Sequence, residues 1–562
     1  MRNAEMKKND VVYTFKLSDN ETPFSYDEAM AAACIQGIIN RDAPRVFITS
    51  ERNNRPQFWR RLFSSKGEWL NGKKVRALPD LDALVKLAGR RLKGAIIWDP
   101  EVQASVNVAT TIAGVKDGVV FSPEFAEEHL ERWSLEVLYD LRGFFSGSEC
   151  GSAKNDAYRW AIREYLAKGW CSSHLICLYE DAYQVRNTGS IRYVVTRDWA
   201  VKKRAFVFDL SPWGDERPAD DLNQPLGEDL RTYKFILEEM LRQSDGRHMT
   251  ELAGFFSFLK YSNVPDHRSI HDPVPTEWET VFLISPYNCV QNTVAHDCYN
   301  QSFHSHFPFV PLKQYRPKSK LKLENKIYIC FHMSDYDSTT PLYDFLPNFW
   351  SDDDRGKIPL AWGINPNLIE TYPDIISYYY KTATENDYFV SDASAAGYFN
   401  PNRVQKQYIP LLTRHNRHFF KQTDMSIAPM VLDWDEPTDE VKDAFTRFSP
   451  DGFATIVLDF HGKGGKPPRP HVWRGMPVLE MFNTACHVSD PKLISELVYK
   501  TIKDDSPDSL RFYYFRIVWV GPRTIVEAVE SLRKAHPELD FEVVDPYTFF
   551  ALFKKTFSSS GN

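Results

Sequence analysis

The chain has 562 residues, 25% of them charged and 43% hydrophobic, with 68 basic against 75 acidic side chains and a net charge of −7. At roughly one domain per 150 residues, about three or four domains are expected, and no segment is biased enough to argue for disorder. So weak a field offers a polyanion little, which excludes nucleic acid as a main partner.

No apolar run approaches about 18 residues, so no membrane span is expected. The opening MRNAEMKKNDVVYTFKLSDN is charged from its second residue and has no apolar signal core; the expected location is the cytoplasm, or outside the cell if a leader has been trimmed away. Eight cysteines, none in a C-x-x-C pair, read as small buried residues rather than zinc ligands. Aromatic residues make up 14% of the chain, with 14 Trp and 27 Tyr. Those not needed in the core would suit the C–H faces of sugar rings.

In chain order, YDEAMAAACIQGIIN (26–40) has helical spacing and PRVFI (44–48) reads as a strand. GAIIWDP (94–100), GVVFS (118–122), HLICLYE (174–180) and RAFVFDLSPW (204–213) repeat the strand pattern, with helices over 155–169 and 227–243. Such alternation predicts α/β layers with largely parallel sheets. Seams rich in Gly, Ser, Pro or charge divide this part into α/β units over 1–100, 101–185 and 186–310. FPFVPLKQYRPKSKLKLENK (307–326) reads as a linker.

The region 320–562 is then expected to be the catalytic domain. Seven apolar runs follow, at 327–333, 358–364, 387–391, 427–432, 453–460, 512–519 and 541–544, with helices over 373–386, 490–504 and 522–537. The fold class is therefore α/β: small N-terminal units, then a (β/α) barrel-like domain of about seven strands, with an open doubly wound sheet as the alternative.

Three of these runs end in acids. IYICFHMSDYDS ends in Asp335 and Asp337, IAPMVLDWDEP in Asp433, Asp435 and Glu436, and FATIVLDFHGKGG in Asp459 and His461. Acids at strand ends also serve as turn residues and helix caps. In a barrel, however, such ends converge on one face, where active sites sit. Residues i and i+2 on a strand share a side at roughly 6.5–7 Å, room for one metal or one water. HGKGGKPP (461–468) lacks the full phosphate-loop pattern, and HSH (304–306) and HNRH (415–418) lack H-E-x-x-H.

SAAGYFNP (394–401) resembles the name-giving motif of the GxGYxYP family, a family with a glycoside-hydrolase label, with Gly397, Tyr398 and Pro401 matching. IQGIINRDAPRVFI, FDLSPW, DDLNQPLGEDLRT, NQSF, SDYDS, RGKIPLAWGINP and VVDPYTFF extend the similarity along the chain. Ala395 stands where the motif has its first Gly, Asn400 where it has its second Tyr, and Tyr336 and Ser338 replace residues of an S-D-G-D-N-like segment.

The resemblance implies a C-terminal barrel-like domain and a carbohydrate substrate. Asp335, Asp337, Asp433 and Asp459 are the candidate catalytic acids, with Tyr336, Trp362, Gly397, Tyr398, Asn400 and His461 as substrate-binding candidates. Glycoside hydrolysis through paired carboxylates is the expected reaction. No cofactor is required for it. A divalent metal held by the aspartates and His461 defines the alternative, a metal-dependent hydrolase such as a carbohydrate deacetylase, and non-catalytic carbohydrate binding a third reading. The sequence leaves the oligomeric state open.

Overall fold

The computed structural model describes residues 11–18, 24–183, 191–261, 269–271, 273–294, 296–317, 322–433, 436–457, 466–505 and 510–558. The chain divides into two compact units, one of residues 1–308 with 371–374, the other of 309–370 with 375–562.

The first unit carries three parallel sheets. Strands β1 (Val11–Leu17), β2 (Val46–Ser50) and β3 (Lys74–Ala77) pair in the order β2-β1-β3. Strands β4 (Gly94–Ile97), β5 (Gly118–Phe121) and β6 (Val137–Asp140) pair as β5-β4-β6. Strands β7 (Leu175–Leu178), β8 (Phe206–Phe208), β9 (Thr250–Gly254) and β10 (Cys289–Asn292) pair as β10-β9-β7-β8. The helices Ser25–Ile39 and Ser105–Lys116 are buried along nearly their whole length, as their small side chains allow. Strands β1, β3, β6, β9 and β10 add to those expected from the apolar runs. β3 lacks a continuous apolar stretch and its side chains are exposed throughout, and the apolar part of β6 is only Val137, Leu138 and Tyr139.

The second unit begins with β11 (Ile327–Ser334), β12 (Leu360–Gly363), β13 (Asp387–Val390), β14 (Ile427–Asp433) and β15 (Gly452–Val457). It continues through β16 (His471–Trp473), β17 (Met476–Cys486), β18 (Phe512–Val518) and β19 (Phe541–Val543). Seven of these are parallel and follow the order β13-β12-β11-β18-β17-β15-β14. The Ser391 N–H donates to the Ile427 carbonyl at 3.3 Å, drawing the two ends of the path together into a nearly closed barrel.

Two strand assignments change. The seventh member is β17, whose Pro477 and polar Glu480, Asn483 and Thr484 hide it as an apolar run. The 541–544 run is instead the short β19, which pairs with Ile327–Ile329 of β11, while β12 meets β11 at His332 and Met333. The helix Pro522–Ala535 shows why outer helices cover this sheet: Ile525, Val526, Val529 and Leu532 recur at three- and four-residue steps and are buried. The expected linker is partly fastened down: the Leu312 N–H donates to the Gln422 carbonyl at 2.7 Å, and the Gln314 amide contacts Phe389, Asp424 and Tyr547.

Six cysteines are buried, Cys150 is half-buried and Cys486 is exposed; all eight are free thiols. Among the described residues no helix is long and apolar enough to cross a membrane.

Candidate active site at the strand ends of the barrel

Asp335 and Asp337 follow β11, Asn365 follows β12, Asp392 follows β13 and Trp519 follows β18, so all belong to the C-terminal end of the barrel. β11 stops because Asp335 adopts a left-handed conformation, φ 68°. The extended i, i+2 spacing expected for Asp335 and Asp337 therefore does not hold. Beyond that turn the two acids converge with Asp392, and one oxygen from each of the three lies within 4.8 Å of the others.

Asp392 holds this arrangement together. It is fully buried; its Oδ2 accepts from the Asp335 N–H at 2.7 Å and from the Ser334 hydroxyl at 2.8 Å. Its Oδ1 accepts from the Ala393 N–H at 2.8 Å and lies 3.2 Å from His332 Nε2. A carboxylate only accepts, so Nε2 of His332 carries the proton, and Nδ1 faces the Tyr514 hydroxyl at 3.4 Å. Burial pushes the Asp392 carboxyl up, but His332, Arg516 and the Asp335 N–H outweigh it and leave it below the usual range.

Arg516 lies among the apolar residues of β18. Its Nε donates to Ser334 Oγ at 3.0 Å, its Nη1 to Asn483 at 2.9 Å, and its Nη2 pairs with Asp335 Oδ1. Burial lowers the guanidinium pKa, but Asp335 and Asp392 raise it further, so Arg516 is a fixed cation. The side chain of Asp335 is 30% exposed and its Oδ2 has no protein hydrogen bond among the described residues. Asp337 is 3% exposed. The Trp519 indole donates to the Asp335 carbonyl at 2.9 Å and meets the Phe345 ring at 5.0 Å, placing two half-buried aromatics beside the acids.

Gly363 explains how Asp392 can reach across β12. A Cβ there would lie 2.5 Å from Asp392 Oδ2 and 2.7 Å from the His332 ring, so only glycine leaves room.

The remaining sequence candidates fall in different places. Tyr336 points into the protein, fully buried against Phe349 and Trp362, and its hydroxyl has no partner among the described residues. Trp362 is also fully buried, donating its indole N–H to Asp387 at 2.8 Å. Both are wall residues behind the acids. Gly397, Tyr398 and Asn400 lie in the loop after Asp392. Gly397 has φ 98°, Tyr398 is 7% exposed, and Asn400 caps the following turn by accepting from the Asn402 N–H. Ala395 has φ 113°, a conformation that suits the glycine of the motif better than alanine. Asp433 ends β14, and nothing further is described of its side chain; Asp435, Asp459 and His461 lie outside the described residues.

Asp392 and Arg516 are the functional candidates that sequence reasoning missed. Both had a signal: Asp392 is an acid just beyond a strand, and Arg516 is a lone cation inside FYYFRIV. A separate cavity of about 380 Å³, lined by Arg316, Asp451, Tyr547 and Lys554, lies where strands begin, the end of a barrel tied to stability rather than catalysis.

The chemistry of the donor set weighs against a tightly held cation. Asp392 already has two protein partners on each oxygen, and Arg516 supplies a positive charge at Asp335. The cluster instead presents one open carboxylate beside a buried one.

Residues 325–554 match the family profile described as "GxGYxYP putative glycoside hydrolase C-terminal domain", and residues 92–169 match the "GxGYxYP_N second domain". Together these cover more than half of the chain, which belongs to the GxGYxYP family. A "putative hydrolase" from Bacteroides thetaiotaomicron has a similar structure, with TM-score 0.71 and 18% identity over 97% of this chain and 95% of that one.

Two deacetylase structures match with much lower scores. A "putative polysaccharide deacetylase" from Mycobacterium smegmatis matches with TM-score 0.28 and 11% identity, over 44% of this chain and 96% of its own. A peptidoglycan deacetylase from Bacillus subtilis matches with TM-score 0.20 and 12% identity, over 42% and 96%. No curated protein matches the chain.

Proposed function

We propose that the protein is a glycoside hydrolase in which Asp335 and Asp337 are the catalytic pair. The observation that carries this reading is the open Oδ2 of Asp335, whose other oxygen pairs with Arg516 close to the buried Asp337. Asp335 is the nucleophile, its charge balanced and its orientation set by Arg516. Asp337 is the proton donor to the leaving oxygen and then the base that activates water. One oxygen of each acid lies within 4.8 Å of the other, so both can reach one glycosidic bond. Phe345 and Trp519 give a sugar ring an aromatic face at the mouth. Asp392 positions Asp335 through its backbone N–H and does not touch substrate. The family's description as a glycoside-hydrolase one agrees with this assignment.

The test is a turnover screen over aryl glycosides and oligosaccharides, run on wild type beside Asp335→Asn and Asp337→Asn. Each substitution is expected to lower turnover by about 10²–10⁴-fold with the fold retained. Full turnover by Asp335→Asn sinks the assignment. A second reading, metal-assisted hydrolysis, rests on the grouping of Asp335, Asp337 and Asp392. Activity that disappears on chelation and returns with one divalent ion per chain would favour it over the carboxylate pair.

A further inference from the structure

The first unit holds another set of charged side chains, and the barrel chemistry does not use it. Lys260 Nζ lies 2.9 Å from Asp181, 2.7 Å from Asp209 and 3.0 Å from Asp220. Lys154 Nζ lies 3.0 Å from the same Asp220 and 2.9 Å from Asp229. No side chain in this network is more than 6% exposed. Asp209 comes from FDLSPW and Asp220 and Asp229 from DDLNQPLGEDLRT, two of the segments that carry the family resemblance.

Burying six ions costs several kcal/mol each before pairing, and well-packed apolar residues often replace such networks without loss. A network kept at the wall of a cavity therefore calls for a use. Asp220 and Lys154 are such wall residues. With Glu101, Gln103, Ser146 and Asp221 they line a cavity of about 370 Å³. That volume is near the lower end of the roughly 300–1,000 Å³ of small-molecule sites. Glu101 and Gln103 follow β4, Ser146 and Lys154 follow β6, and Tyr183, also in the lining, follows β7. The cavity thus opens beyond the carboxyl ends of parallel strands, where α/β folds bind ligands. Burial pushes the Asp220 carboxyl up, but the two lysines prevail and hold it at about 2, so this wall stays charged.

The lining selects a ligand by its chemistry. Three carboxylates against one ammonium repel an anion. Among the described residues, the acids with metal-binding spacing are those of the barrel and not these. Carboxylates accept from vicinal hydroxyls, Ser146 and Gln103 can donate and accept, and Tyr183 adds an aromatic ring. We infer that this cavity is a second, non-catalytic saccharide site, binding one or two sugar residues through Glu101, Asp220 and Asp221.

The test uses the full chain carrying Asp335→Asn to stop turnover, with cello-, xylo-, malto- and chito-oligosaccharides as probes. Calorimetry gives affinity and hydrogen exchange locates binding. At least one probe is expected to protect residues 146–154, and adding Glu101→Gln with Asp221→Asn should weaken that binding at least about tenfold. These two side chains are chosen because Asp220→Asn would leave buried lysines short of a partner and could unfold the unit. The same pair of substitutions in the otherwise wild-type chain should leave aryl-glycoside turnover unchanged, so failure here is separable from failure of the barrel assignment. Protection confined to the barrel loops, no protection by any probe, or protection of 146–154 by a simple diamine instead of the sugars overturns the inference.

Discussion

At the barrel mouth Asp335 pairs with a guanidinium and Asp392 with a histidine, Asp337 lies beside them, and Asp335 keeps an oxygen open on a side chain 30% exposed. In the first unit four aspartates share two ammoniums, and no side chain of that network exceeds 6% exposure. The residue types are alike, but the degree of pairing differs. A carboxylate closed on both oxygens can orient, anchor or present charge, whereas one with a free oxygen can attack or take a proton. By that criterion Asp392 suits a supporting role, and Asp335 carries the open oxygen that the proposed hydrolysis uses.

The sharpest way to break the comparison is Lys260→Met, which takes the shared ammonium from the buried Asp181 and Asp209 and leaves Asp220 with Lys154 alone. Denaturant unfolding should show a loss of about 3–5 kcal/mol. A loss under about 1 kcal/mol would mean that the network is hydrated rather than sealed.

On the barrel side, Gly363→Ala should displace the Asp392 carboxylate and the His332 ring. Turnover should fall by about 10²-fold through misplacement of Asp335. Wild-type kinetics in this variant would remove Asp392 from the positioning role.

Buried groups in the two units should also answer pH in opposite senses. Burial raises Asp27 and Asp209 to about 6 and Asp198 to about 7, so the stability they contribute is complete below the unfolded carboxylate value and is lost as pH rises through 6–7. Burial lowers His415 in the second unit to about 4, so its contribution is complete above the unfolded value of 6.5 and is lost as pH falls toward 4. From pH 7 to 5, hydrogen exchange should slow in the helix Arg197–Lys203 and quicken in Ile409–Thr423, after correction for intrinsic rates. Parallel shifts would contradict these signs.

The smallest effect is expected from Ala395→Gly. Removing the Cβ at φ 113° should stabilise the loop by about 1 kcal/mol, read from the unfolding midpoint. An unchanged midpoint would mean that alanine fits there without strain.

The barrel was legible wherever strands are continuous apolar runs, as in IYICFHMS and GFATIV, because strands buried on both faces must be apolar throughout. It was not legible at β17, where Pro477, Glu480 and Asn483 interrupt the run; in the first unit β3 escaped notice likewise, because its exposed side chains give no apolar signal. The site divides in the same way. Local sequence alone picked out Asp335 and Asp337, since acids ending a strand stand out against its apolar residues. It also marked Ala395 as a departure from the family motif, and the backbone gives that departure its cost.

Only the tertiary structure decided that Asp392 closes on His332 and Ser334, that Arg516 pairs with Asp335, and that Tyr336 turns inward instead of lining the mouth. Those relations join residues up to 181 positions apart in the chain. A strand's composition reports burial of its own side chains, whereas the partner each charge finds depends on which strands the barrel sets side by side and on the space that Gly363 leaves between them.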